Sequence, residues 1–188
     1  MNNRSPQTWI ITGARETGKT RFCTHIVEIA RKEGMDVAGV LSPPVYVDGV
    51  KTAIEVEGLR SNVRRILAMR RRDDQGSTQT KRWSFDTEVL TWGNDVLAEA
   101  TPCDLLVVDE LGLLEFERGG GWQNGISAIQ SGKFQLAVVV IRPELIDKAL
   151  RAFKNTRILD IPPHLDVNLE QGMLDQILGD VNLQDTLS

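Results

Sequence analysis

The chain is poor in cysteine, in aromatic residues and in long apolar runs. Its two cysteines, Cys23 and Cys103, are too few for a disulfide framework, and neither stands in a CxxC pair or a His/Cys cluster with zinc-ligand spacing. Both are expected to be free thiols. No apolar stretch approaches the ~20 residues that cross a bilayer. The start, MNNRSPQTWIITGA, has neither the basic head nor the apolar centre of a secretory signal. A cytoplasmic protein with no membrane partner is therefore expected. Positive charge in excess is also missing: a net charge of -4 and a pI of about 5.3 speak against a surface that is one large nucleic-acid footprint. What is present is 188 residues with 41% hydrophobic content, enough to bury one core. A single domain over residues 1–188 is the expectation.

Strand-like and helix-like patterns alternate along the chain. The apolar run Thr8–Thr12 leads through a glycine-bounded loop into Lys19–Lys32, where Phe22, Ile26 and Ile29 recur at helical spacing. Asp36–Ser42 reads as a buried strand. The segments VYV and VKTAIEV flank Asp48-Gly49 and predict a hairpin, since Asp-Gly suits a tight turn with positive backbone angles. Phe85–Ala100 predicts a helix despite Gly93 at its middle. Asp104–Glu110 and Phe134–Ile141 are continuous apolar runs of the kind found in central parallel strands. A helix opened by Pro143, a strand at RILDI and a helix at NLEQGMLDQILGD complete the order. Such alternation implies an α/β fold, a mostly parallel sheet with helices on both faces and an inserted β-hairpin.

Two of these segments carry chemistry. GARETGKT, residues 13 to 20, matches the phosphate-loop pattern GxxxxGK[ST] between a predicted strand and a predicted helix. In such a loop successive backbone N–H groups face phosphate oxygens, and the helix adds its positive N-terminus. Gly13, Ala14, Arg15, Glu16, Thr17, Gly18, Lys19, Thr20 and Arg21 are thus the expected phosphate-binding residues. Lys19 would reach the β and γ phosphates and Thr20 would ligate Mg2+. Because the backbone forms the cradle, the carboxylate of Glu16 is tolerable if it faces solvent. The second half of such a site is an acid closing a buried strand, and Asp109 is that residue, a second magnesium ligand. Glu110 beside it is the candidate to activate water. Arg142, just past the strand ending at Ile141, can point across the carboxyl edge of the sheet as an arginine finger or phosphate sensor. Glu115 is expected to anchor its loop, and the glycines of ERGGGW to serve as connector or closing loop.

One segment departs in charge: residues 60–82 hold eight basic and two acidic side chains, a local +6 that leaves -10 for the rest of the chain. It reads as a solvated excursion or as an anion-facing lid. The residues themselves leave three functions open: a nucleoside-triphosphatase, a nucleotide or small-molecule kinase using the basic segment as lid, and a nucleotide-dependent adaptor with slow hydrolysis.

GARETGKT, VAGVLSPPVYVDGVKTAIEV, LLVVDELGLLEF and LAVVVIRPEL together resemble, in order and spacing, the small P-loop nucleoside-triphosphatases of the thermophile type, relatives of the cancer-related nucleoside triphosphatase. The resemblance covers roughly residues 8–160. It implies a RecA-like P-loop fold and magnesium-dependent hydrolysis of several nucleoside triphosphates, ATP and GTP among them. Carried over by position, Lys19 and Thr20 bind phosphate and metal, Asp109 holds the metal and Glu110 activates water. Beyond the nucleotide, a protein partner is possible in such proteins and nucleic acid is not expected.

Overall fold

The structure, a computed structural model, describes residues 5–71 and 83–179. Among them nine strands form one sheet: β1 (Gln7–Thr12), β2 (Val37–Leu41), β3 (Pro44–Val47), β4 (Val50–Gly58), β5 (Val63–Arg70), β6 (Trp83–Phe85), β7 (Cys103–Leu111), β8 (Phe134–Ile141) and β9 (Thr156–Asp160). Six helices accompany them: α1 (Lys19–Lys32), α2 (Thr87–Ala98), α3 (Leu113–Glu117), α4 (Gln123–Ser131), α5 (Ile146–Ala152) and α6 (Val167–Leu178). The strand order is β6-β5-β4-β2-β7-β8-β1-β9, with β3 paired to β4. Strands β2, β7, β8, β1 and β9 run parallel. The other four extend the β2 edge as an antiparallel wing.

The parallel strands alternate between two cores because successive side chains leave opposite faces of a strand. Ile10, Leu106, Val108, Ala137 and Val139 belong to one, with Val89 and Leu97 of α2 and Ile129 of α4. Trp9, Ile11, Leu105, Val107, Leu136 and Val138 belong to the other, with Phe22, Ile26 and Val27 of α1 and Leu174 and Ile177 of α6. Both cysteines are free and buried.

The hairpin around Asp48-Gly49 forms as expected, both residues holding positive φ, 50° and 74°. It is larger than the sequence suggested, because β5 and β6 continue it. The basic segment is therefore not one excursion. Val63–Arg70 is a strand, and its arginines divide between the two sides of the wing. Arg64 pairs with Glu57 at 2.6 Å, and Arg65 lies 4.6 Å from the centroid of the Trp92 ring of α2. Just ahead of β5, Arg60 grips both oxygens of Asp36 and the carbonyls of Glu99, Ala100 and Pro102. Arg72, Lys81 and Arg82 lie outside the described residues.

Helix α2 starts later than its apolar spacing indicated. Asp86 caps it, accepting from the backbone N–H of Glu88 at 2.9 Å and of Val89 at 3.2 Å, which satisfies donors the first turn would leave open. Gly93 at its middle has a packing reason: a Cβ there would stand 2.4 Å from the Trp122 ring. Gly93→Ala should therefore destabilise the fold by about 1–3 kcal/mol through overpacking, outweighing alanine's better helix propensity. Thermal unfolding checks this, and an unchanged midpoint would mean that the ring moves aside freely.

Candidate functional site

The parallel order brings three strand ends together at the carboxyl edge of the sheet. β1 delivers the phosphate loop, β7 delivers Asp109 and Glu110, and β8, which lies between them, delivers Arg142. The loop is sharply bent. Gly13, Glu16 and Gly18 hold positive φ of 134°, 60° and 91°. At Gly13 a Cβ would stand 2.5 Å from the Ile161 carbonyl oxygen, so only glycine lets β1 turn off beside the end of β9. Ala14, Arg15 and Glu16 are exposed, so Glu16 faces solvent as its place in the loop required. Thr17 is buried, and its hydroxyl donates to the Ala14 carbonyl at 3.0 Å, pinning the bend from inside.

Lys19 opens α1 and folds back over the loop. Its Nζ donates to the carbonyl oxygens of Gly13 at 2.9 Å and Ala14 at 2.5 Å. Partial burial lowers its pKa, opposed by the charges of Glu110, Asp109 and Asp160. Arg21, one turn into the helix, lies under Gly18 and 3.8 Å from Glu170 of α6. The same carboxylate bonds His25 Nδ1 at 2.7 Å, so the phosphate-loop helix is clasped from its flank by α6.

Asp109 is 2% exposed. It accepts from the Ser42 backbone N–H at 3.0 Å, and the Thr20 side chain also favours its charged form. The two expected metal ligands, 89 positions apart in the numbering, are thus brought close enough to influence each other. Burial raises the Asp109 carboxyl to about 6, with the Ser42 bond acting in the opposite direction. Two hydroxyls at the same edge, Thr12 Oγ1 and Ser42 Oγ, are buried with no hydrogen-bond partner among the described residues. Ser42 was missed in the sequence because nothing local marks it. It sits beside Asp109 only because β2 runs parallel to β7.

Glu110 has a φ of 70°, in the left-handed region that a side chain adopts at a cost. It stands where the β7–β8 register shifts between Val108 and Leu111, which lifts Asp109 and Glu110 out of the ladder. Its Oε1 accepts from Arg142 Nε at 2.8 Å and from Arg142 Nη2 as well. Two candidate catalytic residues are therefore partners.

Glu115 is the anchor expected of it, accepting from the N–H of Gly112 at 2.7 Å and of Trp122 at 2.9 Å. The glycine loop is tied as well: Gln123 Nε2 donates to the Glu115 and Gly120 carbonyls, and Asn94 Nδ2 to that of Gly121. These bonds make it a fastened connector rather than a closing loop. Of the basic segment that the kinase reading takes as lid, Arg60, Arg64 and Arg65 have partners within the fold, and residues 72–82 lie outside the described residues.

Comparison with known proteins agrees with this geometry. A family model described as NTPase matches residues 8–166. The nucleoside-triphosphatase THEP1 of Methanopyrus kandleri is 25% identical over 113 residues, 60% of this chain and 61% of that protein. THEP1 of Hyperthermus butylicus is 28% identical over 131 residues, 69% of each. The chain thus spans about three fifths of the length of the first of these relatives and about two thirds of the second. Among solved structures, a human cancer-related nucleoside triphosphatase superposes with a TM-score of 0.66 at 19% identity, over 94% of this chain and 97% of that one. THEP1 from the hyperthermophile Aquifex aeolicus gives 0.63 at 13% identity, over 91% and 99%. These two show a shared P-loop α/β fold. With the phosphate loop, the buried acid and most of the chain inside the family match, the protein belongs to the NTPase family.

Proposed function

We propose that the chain hydrolyses nucleoside 5'-triphosphates, ATP and GTP among them, to the diphosphate and inorganic phosphate with the help of magnesium. The observation that carries this reading is the buried carboxylate of Asp109 at the carboxyl edge of the sheet, whose charge, with that of Glu110, acts on the lysine of the phosphate loop. Both family names and the relatives' printed activity support the same chemistry.

The residues present fit a magnesium ion. Thr20 and Asp109 offer hard oxygen ligands of the kind the ion prefers, and the unpartnered Ser42 hydroxyl lies at the same strand edge. Among the described residues no group of three or more His, Cys, Asp or Glu side chains forms a complete protein cage. That suits an ion held by one or two side chains and by substrate phosphates. Bound there, magnesium supplies charge neutralisation at the phosphate oxygens.

The chain's own groups do the rest. Loop N–H groups and the start of α1 orient the phosphates. Lys19 offsets negative charge on the transferring group, and Arg142 adds a second cation from β8. Glu110 accepts a proton from water as the water oxygen bonds to the γ phosphorus and the bond to the bridging oxygen breaks, leaving the diphosphate.

Glu110→Gln tests this assignment. Glutamine keeps the size and an accepting oxygen but removes the charge and the base, so turnover should fall by about a hundredfold while nucleotide still binds. Phosphate release from ATP, GTP, CTP and UTP, measured with magnesium and no acceptor, reads both the activity and the variant. A variant that hydrolyses ATP at the parent rate would remove Glu110 from the role.

A further inference from the structure

We infer that Arg142 distinguishes triphosphates from diphosphates by leaving Glu110 for the γ phosphate, so that the substrate itself releases the base that acts on it. This rests on the hydrolytic reading above. The geometry is that of an exchangeable pair. Arg142 gives both Nε and Nη2 to a single oxygen of Glu110, and among the described residues its side chain bonds nothing else. The partners are 37% and 49% exposed, in contrast to the buried Asp109 next door. An ion pair this open to water is held weakly, so a multiply charged phosphate can displace it.

Arg60 shows what a structural arginine looks like in this fold. It holds Asp36 with two nitrogens and three backbone carbonyls besides. Arg142 has no such framework and stands at the active edge. It follows directly on Ile141, whose strand partner Leu111 follows directly on Glu110. The charges of both Glu110 and Arg142 reach Lys19, so a phosphate held by that lysine competes for Arg142. The left-handed backbone of Glu110 is consistent with a residue placed for its ligand rather than for the ladder.

While Arg142 holds Glu110, two guanidinium N–H groups occupy Oε1 of the carboxylate. A triphosphate that draws Arg142 away leaves Glu110 free beside Asp109. A diphosphate offers no γ group and leaves the pair closed. Arg142 then favours triphosphate, and Glu110 opposes that preference by competing for it.

A double-mutant cycle on binding tests the exchange. Affinities for a non-hydrolysable ATP analogue and for ADP, each with magnesium, are measured by calorimetry on the full chain, with folding followed by circular dichroism. Glu110→Gln weakens the hold on Arg142 and should tighten the analogue about five- to tenfold while leaving ADP nearly unchanged. Arg142→Ala should weaken the analogue about tenfold and again spare ADP. Adding Glu110→Gln to Arg142→Ala should then change little, and Arg142→Lys, which keeps the charge but not the fork, should fall between. Equal tightening by Glu110→Gln with and without Arg142 would mean simple removal of negative charge and would overturn the exchange, with nucleotide binding itself intact. A folded parent that binds neither nucleotide would overturn the hydrolytic reading along with it.

Discussion

Asp109→Asn is expected to lose hydrolysis by about a thousandfold, the scale of several kcal/mol of charge stabilisation at a metal-assisted phosphoryl transfer. The same change should make the protein more resistant to heat at pH 8 in the presence of a chelator. Both effects come from one carboxylate placed where the fold alone would not put it. Asp109 is almost fully buried at the end of the central strand β7. Burial lifts its pKa from the ordinary 3.8 to about 6, against the opposing influence of Ser42, Thr20 and Lys19. A carboxyl whose folded pKa lies above its unfolded one binds its proton more tightly in the folded chain. The stability this contributes is complete below pH 3.8 and is lost as pH rises through about 6. The rise from 3.8 to about 6 corresponds to roughly 3 kcal/mol. Asparagine does not titrate and still accepts from Ser42. Its melting point should match the parent's near pH 4 and exceed it by about 5 °C or more at pH 8. Magnesium with nucleotide should raise the parent's melting point and leave the variant's nearly unmoved. A variant less stable than the parent at pH 8 would show that the hydrogen bonds of the carboxylate outweigh its burial.

How much of this was legible in the sequence follows from the range of the forces involved. The phosphate loop, the apolar strand ending in Asp109 and the Asp48-Gly49 turn are local signals, written within ten residues, and the structure places all three where they were expected. The pairing of Arg142 with Glu110 is different. It spans 32 positions and depends on β7 and β8 being neighbours, parallel and shifted in register between Val108 and Leu111. Charge counting failed in the same way over residues 60–71. A tally sees one basic run, whereas a strand sends Arg64 to Glu57 and Arg65 to Trp92. Gly93 looked like a flaw in its helix until Trp122, 29 positions away in the numbering, filled the space its missing Cβ leaves. Helix α4, rich in polar residues, was hidden because its buried positions, Gly125, Ala128 and Ile129, make a faint apolar stripe.

Lys19→Ala is expected to weaken triphosphate binding by about a hundredfold and to lower kcat/KM by about a thousandfold or more, with little effect on folding. The folded chain gives the reason for the separation. Lys19 Nζ bonds two loop carbonyls, that of Gly13 in a partly buried contact and that of Ala14 in an exposed one. The Ala14 carbonyl can turn to water when the ammonium is removed and the Gly13 carbonyl keeps only partial access to it, so the stability lost is about 1–2 kcal/mol. For the ligand no such replacement exists. Glu110, Asp109 and Asp160 all place negative charge near Lys19, and a triphosphate entering without that cation meets three carboxylates and one remaining arginine. Lys19→Arg should not restore activity, because a planar guanidinium is longer and wider than the ammonium that folds between two carbonyls of one tight loop. Calorimetric titration with an ATP analogue and thermal unfolding of both variants check the two halves together. Analogue binding within threefold of the parent would show that loop N–H groups and Arg142 suffice to hold the phosphates. A collapse of the melting point would show instead that Lys19 is first of all a clamp on the loop.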